Sequence, residues 1–105
     1  MHVQIINFQL NGIDKAQYSD ACEEEAPTFA LIPGLLSKIW LADESTNTYG
    51  GVYLWRDRGA MEAFVKSDVF RGFIADPVAS NLTSRDFSVL EAPTTVTSGL
   101  APARV

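Results

Sequence analysis

The chain has 105 residues, enough for one domain with a single core and too few for two. Hydrophobic residues make up 47% and charged residues 20%, a globular balance rather than a disordered one. Eight Lys and Arg against thirteen Asp and Glu leave a formal charge of −5 with no basic stripe, which argues against nucleic acid and anionic lipid surfaces as partners.

Residues 2–10 mix Val3, Ile5, Ile6, Phe8 and Leu10 with polar neighbours and are expected to form a strand. Asn11-Gly12 signals a turn, and Asp14 is placed to cap a helix running to about Ala30. Tyr18, Ala21, Cys22, Ala26 and Phe29 recur at helical spacing there, and Pro27 predicts a kink or a restarted turn. The run Glu23, Glu24, Glu25 reads as a solvated face, because consecutive helical residues diverge too far to share a metal ion. Ile32-Pro33-Gly34 ends the helix.

LLSKIWLAD (35–43) predicts a second strand, residues 44–50 a polar loop, and GVYLWRD (51–57) a third strand paired with the second as a hairpin. A helix is expected from Arg58 to about Lys66. A further helical segment, capped by Ser67 and Asp68, should bury Val69, Phe70, Phe73 and Ile74 and close at Asp76-Pro77. Residues 80–91 supply a fourth strand, and the segment from Pro93 reads as an arm or frayed end. The order is βαββαβ, a ferredoxin-like α+β domain over residues 1–92 with an antiparallel four-stranded sheet and its two helices on one face, followed by the tail 93–105.

Cys22 is the only cysteine, so no intrachain disulfide can form, and with no histidine beside it an inert thiol is expected. MHVQIINFQL lacks the basic flank and cleavage pattern of a signal peptide, and no apolar run approaches the roughly 20 residues that span a bilayer. A cytoplasmic protein is expected.

Side chains alternate across a strand. Leu35, Ser37, Ile39 and Leu41 are expected on one face of the second strand and Leu36, Lys38 and Trp40 on the other. In the third, Val52 and Leu54 oppose Gly51, Tyr53 and Trp55. Two helices cover only one face of such a sheet, yet both faces carry large apolar groups. Burying one Trp or Tyr is worth roughly 2 to 3 kcal/mol, so a face-to-face homodimer is expected. The aromatic face then meets either the partner's sheet or a cavity beside it. Gly50 and Gly51 mark a close backbone approach or a bulge, or merely the end of a loop.

IPGLLSKIWLADESTNTYGGVYLWRD, followed by AFVKSDVF, resembles the monooxygenases of the YdhR type within the dimeric α+β barrel superfamily, over roughly residues 30–92. The resemblance implies a homodimer whose sheets pack into a barrel, a pocket between sheet and helices in each subunit, and oxidation by O2 without a cofactor. FVKSDVFRGFI is also similar to a helix of a haem-degrading branch of the superfamily, which uses an Asn on the first strand and a Trp and an iron-binding His on that helix. Asn7 matches the strand position. Phe64 stands in place of the Trp and Ile74 in place of the His, while the only histidine, His2, sits elsewhere. Haem degradation is therefore not expected.

Other chemistries lack their residues. There is no Gly-rich phosphate loop, no metal-spaced His or Cys cluster and no basis for a catalytic triad. Asp43, Glu44, Asp57 and Asp86 lie at strand ends or in loops and are expected to face solvent. A cofactor-free oxygenase needs only to hold a phenol or enol, favour its anion and exclude water. Asn7, Lys38, Trp40 and Arg85 are the expected catalytic set: a cation for the enolate, an amide for a carbonyl. Tyr53, Trp55, Phe64, Phe70 and Ile74 are expected to hold a small hydrophobic, aromatic or polyketide-like substrate. The alternatives are a core and interface role for the same residues, a non-catalytic binding module, or a cyclase or isomerase using the same pocket.

Overall fold

Burial alternates strictly along strand β1 (His2–Leu10). The even residues His2, Gln4, Ile6, Phe8 and Leu10 are buried and the odd ones only partly so, which marks one covered face. The computed structural model describes residues 1–98. Helix α1 (Lys15–Ala30) starts at Asp14, whose carboxylate accepts from the Gln17 amide at 2.8 Å. The Gln17 side chain accepts in turn from the Asp14 amide at 2.9 Å, completing a reciprocal cap. The helix continues through Pro27. The carbonyl left without a donor there belongs to Glu23, an exposed residue whose backbone water can serve.

Strands β2 (Leu35–Asp43) and β3 (Thr48–Trp55) form a hairpin. β3 begins earlier than the expected Gly51, because Thr48, Tyr49 and Gly50 already pair with Asp43, Ala42 and Leu41. Asn47, at φ +50°, holds the turn: its amide donates to the Leu10 carbonyl at 3.1 Å and its side-chain oxygen accepts from the Leu10 amide at 3.4 Å. Gly50 has φ +148°, and a β-carbon there would stand 1.8 Å from the Ile6 carbonyl oxygen, so only glycine allows β3 to lie against β1.

Helices α2 (Arg58–Val65) and α3 (Asp68–Ala75) form the expected two-part second leg. Ser67 makes the break: its hydroxyl donates to the Phe64 carbonyl at 2.6 Å and accepts from the Phe70 amide at 3.3 Å. Strand β4 (Ala79–Ser88) ends before the expected residue 91, and the expected tail begins as a short helix, α4 (Glu91–Val96). Residues 99–105 of that tail lie outside the described residues. The sheet order is β2-β3-β1-β4 with every neighbour antiparallel, the ferredoxin-like α+β arrangement.

Both faces are apolar. On the helix side, Ile6, Phe8, Tyr49, Tyr53 and Trp55 form one core with Met61, Phe64 and Phe70. The other side carries Ile39, 62% exposed, and Phe87, 46% exposed, beside the partly buried Val3, Ile5, Leu41, Val52 and Leu54. One expected facing is corrected. A bulge between Leu35 and Ser37 sets Leu35 opposite Trp55 and against the core, so it does not share a face with Ser37, Ile39 and Leu41.

Candidate functional site

Cross-strand register assembles the floor of a cavity. Lys38 lies opposite Tyr53, and Trp40 opposite Gly51, which in turn faces Ile6 on β1. These residues share the helix side of the sheet. Above them, α1 presents Tyr18, Cys22, Glu25 and Phe29, and α2 and α3 add Phe64, Phe70 and Phe73, around a half-open cavity of about 390 Å³. That volume suits a small organic ligand.

Lys38 is the unusual group. Its ammonium nitrogen lies 3.3 Å from the ring centre of Trp40, 3.7 Å from that of Phe29 and 4.6 Å from that of Tyr53. No carboxylate pairs with it among the described residues, whose ion pairs all lie elsewhere. Gly51 makes the position accessible, because a β-carbon there would come within 2.8 Å of the Lys38 ε-carbon. Burial pushes the lysine down to about 7, with weak opposing attraction from Cys22 and Glu25. The ring faces also favour the ammonium. Amine and ammonium are thus both accessible near neutral pH, which an exposed lysine does not offer.

The phenols and the thiol on the wall keep their protons. Burial pushes the Tyr18 phenol far up, helped by the hydrogen bond its hydroxyl donates to the Cys22 sulfur, and burial does the same to Tyr53. The Cys22 thiol is also pushed up by burial, although Tyr18 and Lys38 pull the other way. The site therefore sets an ionisable amine beside phenols and a thiol that keep their protons, with the Glu25 and Asp76 side chains also on the wall.

Five of the residues expected at the site come together on the wall: Lys38, Trp40, Tyr53, Phe64 and Phe70. Four do not. Asn7 has the wrong parity on β1. Ile6 and Phe8 face the helices, so Asn7 faces the other way, where its amide donates to the Tyr49 carbonyl at 3.4 Å. Arg85 pairs in register with Ile5 on that same opposite face and lies over the Phe87 ring at 5.5 Å. Trp55 is completely buried behind the wall, stacked on Tyr53 at 5.9 Å, and its indole N–H donates to the Gln4 side chain at 3.0 Å. Ile74 is half exposed on the outer side of α3 and does not line the cavity.

Sequence reasoning missed the α1 contribution. Cys22 was expected to be inert and Glu25 to belong to a solvated face; Glu25 is indeed exposed and burial pushes the Cys22 thiol up, and both residues also line the cavity. Tyr18, Cys22, Glu25 and Phe29 stand at i, i+4, i+7 and i+11, one face of a helix. That spacing was the available signal.

The model of the family described as "Putative mono-oxygenase ydhR" matches residues 3–100. The chain belongs to this family. Its fold recurs in a "putative antibiotic biosynthesis monooxygenase" from Deinococcus radiodurans, at TM-score 0.73 and 16% identity over 88% of this chain and 95% of that one. SnoaB, a cofactor-independent oxygenase from Streptomyces nogalater, is similar at TM-score 0.66 and 21% identity, covering 87% and 95%. MhuD, a haem degrader from Mycobacterium tuberculosis with two haems in its active site, is similar at TM-score 0.66 and 18% identity, covering 86% and 96%. No curated protein matches the chain. The family is that of the ydhR mono-oxygenases, and the fold is shared with these solved structures; a shared fold leaves the chemistry to the residues of the cavity itself. No helix among the described residues is long and apolar enough to cross a membrane.

Proposed function

We propose that the chain is a cofactor-independent monooxygenase that oxidises a small, planar, enolisable hydrophobic substrate with O2. The observation that carries this reading is Lys38, a lysine without a carboxylate partner in an aromatic cavity. As a free amine it takes a proton from an acidic C–H or O–H of the substrate. As the resulting ammonium it stands beside the carbanion or enolate and favours it. The rings of Trp40, Phe29 and Tyr53 offer planar faces for stacking. The carbanion transfers an electron to O2, and recombination forms a carbon–oxygen bond and a peroxide. Return of the proton from Lys38 lets the O–O bond break, so that a CH2 group and O2 become a carbonyl and water. Cys22 and Tyr53, held protonated, are available to hydrogen-bond the developing oxyanion.

Asn7 and Arg85 take no part in this scheme, because they lie on the far face of the sheet. That face supports a homodimer: Ile39 and Phe87 with their apolar neighbours form a patch that a second copy would shield. A haem-dependent reading fits poorly. Ile74 stands outside the cavity and His2 is hydrogen-bonded to Asp86 at 2.6 Å. The thiol and phenol on the wall are both pushed away from the anionic forms that ligate iron.

Oxygen uptake with anthrone, in metal-free buffer without flavin, tests the reading. One O2 consumed per carbonyl formed, with at least about a tenfold loss in Lys38→Met, is expected. Tight anthrone binding with no oxygen uptake would leave a binding module instead.

A further inference from the structure

We propose that Lys38 forms a covalent imine with aromatic aldehydes or ketones that enter the cavity between the sheet and the helices. This goes beyond the oxygenase reading and does not depend on it, because no oxygen is consumed.

Three features of the geometry support the proposal. First, the amine is directed into the cavity rather than out to water, held over three ring faces at 3.3, 3.7 and 4.6 Å. Its stem lies along the sheet because Gly51 has no side chain to lift it. Second, nothing locks it as an ammonium. Glu25 and Asp76 are on the wall but neither forms an ion pair with it, so a nucleophilic lone pair is available near neutral pH. Third, neutral acids surround it: the Tyr18 and Tyr53 phenols and the Cys22 thiol all retain protons. The rings around the amine limit water beside it, which slows hydrolysis of an imine once formed.

The step is redox-neutral. The Lys38 nitrogen attacks the carbonyl carbon, a C–N bond forms, and the carbonyl oxygen takes up a proton to give a carbinolamine. A second proton, delivered from solvent, lets that oxygen leave as water. The nitrogen gives up one of its protons and remains as a protonated imine. A ketone held this way becomes more acidic at the adjacent carbon, which suits an enclosure lined with flat rings.

The test uses 2-naphthaldehyde with sodium cyanoborohydride at pH 7 in oxygen-free buffer, followed by peptide mass mapping. Imine formation leaves a naphthylmethyl group in place of one lysine hydrogen. Lys15 and Lys66, both exposed, and the amino terminus serve as internal comparisons within the same unaltered protein. Labelling of Lys38 at least about tenfold faster than of either exposed lysine is expected, since only Lys38 is directed into the cavity among ring faces. Lys38→Arg should lose that label and keep the others. Labelling of Lys38 no faster than of Lys15 and Lys66 would overturn the proposal, whatever the oxygen electrode shows. Selective labelling together with no oxygen uptake would uphold the imine and remove only the oxygenase reading.

Discussion

Replacing Lys38 with methionine should stabilise the protein, and by an amount that depends on pH. Methionine keeps most of the stem and removes the charge. In the unfolded chain the lysine takes up its proton below about pH 10.4; in the folded protein it does so only below about 7. Between those values the unfolded state holds the extra proton, so stability falls as pH drops from about 10 to about 7 and the loss is complete below 7. A fall from 10.5 to about 7 corresponds to about 5 kcal/mol, and the ring faces offset about 1 to 2 kcal/mol of it. The variant should therefore gain roughly 3 kcal/mol over the wild type at pH 6 to 7, shrinking toward zero near pH 10. Urea unfolding of both proteins at pH 6, 7, 8, 9 and 10 measures the difference, and titration of Cys22 and the tyrosines cancels to first order because both proteins carry them. A gain that does not change with pH would refute the reasoning, as would a methionine variant less stable than wild type at pH 6.

Four other outcomes follow from single contacts. Gly51→Ala should displace the Lys38 stem, since the new β-carbon meets it at 2.8 Å; the expected cost is about 1 to 3 kcal/mol in denaturant unfolding, with loss of selective aldehyde labelling. Trp55→Phe removes the N–H that donates to Gln4 at 3.0 Å in a fully buried site, and should cost about 2 to 4 kcal/mol by thermal or chemical unfolding. Ile39→Asp puts a charge into the exposed apolar face and should convert the proposed homodimer to a folded monomer, read by light scattering with circular dichroism as the check on folding. Cys22→Leu adds apolar volume to the cavity and should raise stability by about 0.5 to 2 kcal/mol while abolishing anthrone binding, measured by unfolding and by fluorescence titration.

The architecture was legible because its signals are local: alternation in β1, the Asp14 and Ser67 caps, and the hairpin run of YGGVYLW. The site was legible only where alternation on one strand could be tied to its neighbour. Lys38, Trp40 and Tyr53 were placed together correctly because β2 and β3 are joined by a short turn that fixes their register. β1 was harder. Val3 and Ile5 on one face are as apolar as Ile6 and Phe8 on the other, so composition gives the period and not its phase. Asn7, taken from its match to the haem-degrading branch, and Arg85, taken as a cation for an enolate, were assigned to the cavity, although they belong to the opposite face. Trp55 shares a face with Tyr53, but its depth behind the wall depends on Phe64 packing across it at 5.2 Å, a contact distant in neither space nor sequence yet set by the angle of α2.

The cavity itself follows from α1. That helix crosses the sheet without a single fully buried residue. Its inward stripe places rings at Tyr18 and Phe29 and small or polar groups at Ala21, Cys22 and Glu25 between them. A helix selected only to close a core would carry Leu or Ile at those middle positions, because each filled site adds apolar burial. Here the sheet below is also irregular in the same place, with glycine at position 51 and a lysine beside it. Small residues above, a missing side chain below and a desolvated amine between them all work against stability at one spot. The surrounding rings of Trp55, Phe64 and Phe70 are packed at centroid distances of 5.2 to 5.3 Å and show no such looseness. Destabilising choices that coincide in space, inside an otherwise well-packed fold, are better explained by a ligand that occupies the gap than by chance.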